Sequence, residues 1–98
     1  MVFHVAFFKR IVPMDANTEL DFMNRVKAVK KADIGVIDVF MGKNINKTFT
    51  QFDYGLVITL KDQDALHAYL SHPKHKELVD FLNRVTSSTE RAVVDFVD

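Results

Sequence analysis

The strands that this sequence predicts are apolar on both faces, and that constrains the fold more than any other feature. In Val2–Lys9, Phe3, Val5 and Phe7 point one way and Val2, His4, Ala6 and Phe8 the other. In Ile34–Gly42, strict alternation sets Ile37, Val39 and Met41 against Val36, Asp38 and Phe40. In Arg91–Val97, Ala92, Val94 and Phe96 oppose Val93, Asp95 and Val97. An antiparallel sheet with one wet face alternates apolar with polar residues. These segments do not, so both faces of their sheet need cover.

The cover available within the chain is helical. Asp15-Ala16-Asn17-Thr18 opens a helix, with Thr18 as the expected cap and Asp21 three residues on. Leu20, Phe22, Met23, Val26 and Val29 give it an apolar stripe, and it fades near Ala32. Lys43–Thr48 reads as a loop and Phe52–Leu60 as a third strand. Asp62 caps a short helix over Gln63–Leu70. Pro73 breaks it and suits the first turn of a new helix carrying Leu78, Val79, Phe81, Leu82 and Val85.

The order is β-α-β-β-α-β, with the second helical region bent at His72-Pro73. This predicts an α+β, ferredoxin-like fold with a four-stranded antiparallel sheet and helices on one face. At 98 residues the chain is one domain, residues 1–98. Two helical regions cover only one face. The other is expected to meet a second copy of the chain, sheet against sheet, in a homodimer.

Composition removes several functions. Lys+Arg and Asp+Glu are both 13, so no basic field for nucleic acid exists. There is no cysteine, which excludes disulfides and thiolate catalysis and suits a cytoplasmic location. No apolar run approaches the roughly 20 residues of a membrane span. Asn46-Lys47-Thr48 matches a glycosylation sequon, discounted because no secretion signal accompanies it. His72-x-x-His75 pairs two imidazoles without a third ligand at metal spacing, so no metal is expected. No cofactor motif is present either, and a haem or flavin-like monooxygenase ranks last among the readings.

The segment Tyr69-Leu70-Ser71-His72-Pro73-Lys74-His75 carries a resemblance. Together with His4, Gly42 and Asp53-Tyr54-Gly55, it resembles the stress-responsive A/B-barrel (Dabb) family over nearly the whole chain. The resemblance implies a dimeric α+β barrel in which two four-stranded sheets face each other. The family includes stress-associated plant proteins with no established catalysis. It also includes a plant polyketide cyclase that closes a linear tetraketide by aldol condensation with a tyrosine and a histidine. Tyr69 and His75 are similar in position to that pair. Aromatic positions lining the plant pocket correspond to Met23 and Val26 here, so a different cavity and substrate are implied.

An aldol cyclisation needs a base beside a carbonyl and a donor for the oxygen that becomes negative. Histidine titrates near neutrality and suits the first task. A tyrosine hydroxyl suits the second. The expected catalytic set is therefore His75, Tyr69 and, as an auxiliary, His4, with no cofactor. Ala6, Phe8, Phe22, Met23, Val26, Val39, Tyr54, Leu56 and Leu78 are expected to line a mostly apolar pocket for a small apolar or phenolic ligand. Each residue also has a structural reading. His4 suits a core histidine, Tyr69 an anchor of the helix junction, and His72 a junction residue. His67 is expected in water, and Asp38 and Asp95 at edges or rims. The alternative to a cyclase-like lyase is a non-catalytic stress-responsive or ligand-binding dimer.

Overall fold

A computed structural model describes residues 1–98. Strand β1 (Val2–Arg10) leads to helix α1 (Ala16–Lys27), then strands β2 (Val36–Lys43) and β3 (Tyr54–Leu60). Helices α2 (Gln63–Leu70) and α3 (Pro73–Val85) follow, and strand β4 (Thr86–Val97) closes the chain. The strands form one antiparallel sheet in the order β2-β3-β1-β4, which is the ferredoxin-like topology with its second helix split in two. No helix is long and apolar enough to cross a membrane.

The cap of α1 is Asp15, not Thr18. Asp15 is extended, and its Oδ1 accepts the Thr18 N–H at 2.8 Å. An aspartate caps as well as a threonine, so the helix starts at the earlier residue. Phe22, Val26 and Val29 form the buried stripe. Leu20 does not join it and is 58% exposed, because two residues of helix turn it about 200° from Phe22. Past Lys27 the helix tightens into a 3₁₀ turn over Ala28–Ala32, ending on left-handed Asp33. Gly35 follows at φ +93°, and a Cβ there would lie 2.7 Å from the Ala65 Cβ. Glycine is thus required twice at this point, for backbone angle and for the close approach of α2.

The helix-facing side of the sheet is buried: Val2, His4, Ala6 and Phe8 on β1, and Tyr54, Leu56, Ile58 and Leu60 on β3. On β2 strict alternation fails at Ile37. Val36 pairs with Leu60 but Asp38 with Thr59, leaving Ile37 as the extra residue of a bulge. The Asp38 N–H donates to the Thr59 hydroxyl at 3.0 Å. The bulge places Val36 on the same face as Val39 and Met41, all three packed against the core. Strand β4 is longer than the sequence predicts. It leaves α3 directly at Thr86, and only Arg91–Val97 pairs with β1 in unbroken register.

The opposite face carries an apolar row across all four strands: Phe40, Val57, Val5 and Val94 are successive register partners. Phe3 and Phe96 stack beside it with ring centroids 5.1 Å apart. Phe40 and Val94 are 59% and 58% exposed. An apolar face of this kind marks an interaction surface.

Candidate functional site

The site is built where the second helical region breaks. Helix α2 ends at Leu70, and His72 takes an extended conformation, φ −76° and ψ 143°. Its Nδ1 accepts the Lys74 N–H at 3.0 Å, so His72 is the cap of α3, with Pro73 in the first turn. Residues six apart on a straight helix do not share a face. The break removes that restriction, and the Tyr69 and His75 rings meet edge to face with centroids 4.8 Å apart. Tyr69 also meets His4 of β1 edge to face at 5.5 Å. The Tyr69 ring therefore meets two imidazoles edge to face.

His4 is oriented from β4. Asp95 lies opposite it in the ladder, and His4 Nδ1 is 2.5 Å from Asp95 Oδ1. A carboxylate at Nδ1 holds a proton on that nitrogen, so that in the neutral imidazole Nε2 is the acceptor. Burial, and then the charge of Asp95, raise the Tyr69 pKa well above the ordinary phenol value. Burial, and then repulsion from His4, lower the His75 pKa; the Leu70 carbonyl opposes this more weakly. Tyr69 is thus held protonated and His75 neutral near pH 7, one as donor and one as acceptor.

These groups open into a cavity of about 240 Å³ between β1, β4 and the α2–α3 corner. Of the residues expected from the sequence, His4, Ala6, Phe8, Leu56, Tyr69, His75 and Leu78 line it. Phe22, Met23, Val26, Val39 and Tyr54 do not. Helix α1 packs towards β2 and α3 towards β4, so the α1 side chains belong to the other half of the molecule. Phe22 and Val26 are fully buried core, with Phe22 packed among Phe8, Tyr54 and Phe81. Met23 is half-buried, and Val39 packs on the core at the edge strand. The Tyr54 hydroxyl donates to Glu19 Oε2 at 2.9 Å, while Lys43 holds the other Glu19 oxygen at 3.0 Å. Burial and this carboxylate push the Tyr54 pKa up to about 12.

The sequence reading missed Leu70, Val79, Leu82, Arg91, Val93 and Asp95, all in the cavity wall. Asp95 had a signal: it is the lone polar residue of the apolar run Ala92–Val97, and His4 is the lone polar residue of Val2–Phe8. The β1–β4 pairing makes them neighbours. His67 is exposed and Asp38 pairs with Lys30 at the surface. No three His, Asp or Glu side chains converge as a ligand set. A larger concavity of about 560 Å³, by the β2–β3 loop, is lined by Phe7, Ile45, Phe49 and Phe52 among others and contains no histidine.

Several known proteins share this architecture. A dimeric protein of unknown function and ferredoxin-like fold from Bacteroides fragilis is 26% identical, with a TM-score of 0.72 over 99% of this chain and 95% of its own. A hydroxynitrile lyase from Passiflora edulis is 9% identical, with a TM-score of 0.85 over 99% of this chain and 92% of its own. SnoaB, a cofactor-independent oxygenase from Streptomyces nogalater, is 18% identical, with a TM-score of 0.77 over 99% and 91%. No curated protein sequence matches the chain. Residues 2–98 match the stress-responsive A/B-barrel domain, and with that fold and that match the chain belongs to the stress-responsive A/B-barrel (Dabb) family.

Proposed function

We propose that this protein is a cofactor-free acid–base enzyme of the aldol cyclase or lyase type, acting on a small enolisable carbonyl compound. The observation that carries the reading is the Tyr69 ring meeting both His4 and His75 edge to face at the wall of one largely apolar cavity. His75, kept neutral by burial, takes the proton beside the carbonyl. Tyr69, kept protonated, donates to the oxygen as the enolate forms. The enolate carbon then attacks a second carbonyl of the substrate, whose oxygen recovers the proton from His75. His4, fixed by Asp95, serves as an auxiliary polar group. The fold relative named as a cofactor-independent oxygenase supports chemistry done on this fold without a cofactor, and the hydroxynitrile lyase supports lyase chemistry on it.

We also infer a homodimer paired through the apolar face. The dimeric Bacteroides relative and the row Phe40–Val57–Val5–Val94 support it.

The test is exchange of α-protons of linear β-diketones in D₂O, followed by NMR. Exchange above the buffer rate that His75→Ala abolishes supports the enzyme. A second reading, a dimer that binds ligands without turnover, draws on the cavity volume: about 240 Å³ is below the usual range for ligand sites. Amide shifts at His4, Tyr69 and His75 on adding phenolic acids, with no exchange of any ketone, would select that reading and sink the enzyme.

A further inference from the structure

Arg91 is the one arginine or lysine in the cavity wall, and neither mechanism above uses it. It stands on β4 opposite Phe8, with its guanidinium carbon 5.5 Å from the centre of the Phe8 ring. Nη2 donates to Asn83 Oδ1 at 3.1 Å and to Thr86 Oγ1 at 3.2 Å. Both partners are neutral. Nε is buried and has no hydrogen-bond partner. The acids nearest along the strand are committed elsewhere, Glu90 to Lys9 and Asp95 to His4. A guanidinium stays charged in a protein, and a buried donor left unpaired costs stability. Here a positive charge held by two neutral partners lacks an anion, in the wall of the same cavity as Tyr69 and His75.

We infer that Arg91 binds a carboxylate of the substrate. This deepens the proposed function and rests on it for the location of the reacting end. Arg91 and Asp95 are four residues apart on one strand, a backbone separation of roughly 13 Å. The anion-binding end is therefore remote from the His4–Tyr69–His75 end. The substrate class that fits is a slender oxo acid, with the carboxylate at one end and the enolisable ketone and the carbonyl it attacks towards the other. Neutral diketones fill the apolar middle and leave the guanidinium unpaired.

The experiment is calorimetric binding of linear keto acids, 5-oxohexanoate to 9-oxodecanoate, beside their methyl esters, to the wild-type dimer, Arg91→Gln and Arg91→Lys. Wild type is expected to bind at least one acid ten-fold or more tighter than its ester. Arg91→Gln is expected to lose that preference while holding the esters, and Arg91→Lys to keep part of it. Equal affinity for acid and ester in wild type, no binding of any acid, or a preference that survives in Arg91→Gln overturns the assignment. The wild-type comparison decides the matter even if a variant fails to fold. Proton exchange on neutral diketones without acid preference sinks Arg91 and leaves the enzyme standing. Acid preference without exchange on any ketone does the reverse.

Discussion

His4 and Asp95 face each other across the β1–β4 ladder with Nδ1 and Oδ1 2.5 Å apart, one buried and the other at the cavity rim. The contact links the two strands that form the cavity floor and fixes which imidazole nitrogen holds the proton. Asp95→Asn replaces a carboxylate that can only accept by an amide that can also donate, so the residue no longer selects one tautomer. Long-range ¹H–¹⁵N spectra are expected to show His4 shifting from one tautomer to a mixture, with exchange activity falling about ten-fold. An unchanged tautomer would remove the positioning role of Asp95.

Tyr69→Phe keeps the buried ring and deletes only the hydroxyl, which has no partner within the chain. Stability is therefore expected to stay within about 0.5 kcal/mol of wild type. The exchange rate is expected to fall roughly 10²–10³-fold, as for loss of one oxyanion donor. Thermal unfolding and kinetics on the same sample check both halves. A large stability loss with intact activity would make Tyr69 an anchor of the helix junction and nothing more.

The depressed pKa of His75 sets the pH profile. The basic, neutral form is the active one, so activity rises with pH through the acid limb. The midpoint of the acid limb is expected below the ordinary histidine value. Linkage has the same sign: the unfolded chain binds the proton more readily, so stability falls as pH drops through about 6.5. A pH titration of the His75 ring by NMR, giving a midpoint above 6.5, would contradict both statements.

Gly35→Ala forces a Cβ into contact with Ala65 at a positive φ. The expected cost is about 2–4 kcal/mol from strain and overpacking. Denaturant unfolding measures it. Ala65→Gly in the same chain should recover the packing part and leave the backbone part.

Phe40→Lys and Val94→Lys each place a charge on the apolar face at positions already more than half exposed in one chain. Wild type is expected to sediment at twice the 11.3 kDa chain mass at micromolar concentration. The two variants are expected to sediment as folded monomers, with unchanged helix content. A wild-type monomer would remove the homodimer.

Local pattern carried most of the fold. The two-sided apolar strands, the stripe Phe22–Val26–Val29, the Asp62 cap and the break at Pro73 are short-range features, and each maps onto an observed element. They determined the element order and the ferredoxin-like class, because hydrophobic period and capping chemistry act within a few residues. What period alone could not supply was anything set by an inserted residue or by pairing between distant segments. The bulge at Ile37 moved Val36 across the sheet. The lean of α1 towards β2 withdrew Phe22, Met23 and Val26 from the cavity. The β1–β4 register brought Asp95 to His4 and Arg91 to Phe8 across more than 80 residues of chain. Such contacts depend on which strands become neighbours and in what register, and only the packed sheet decides that.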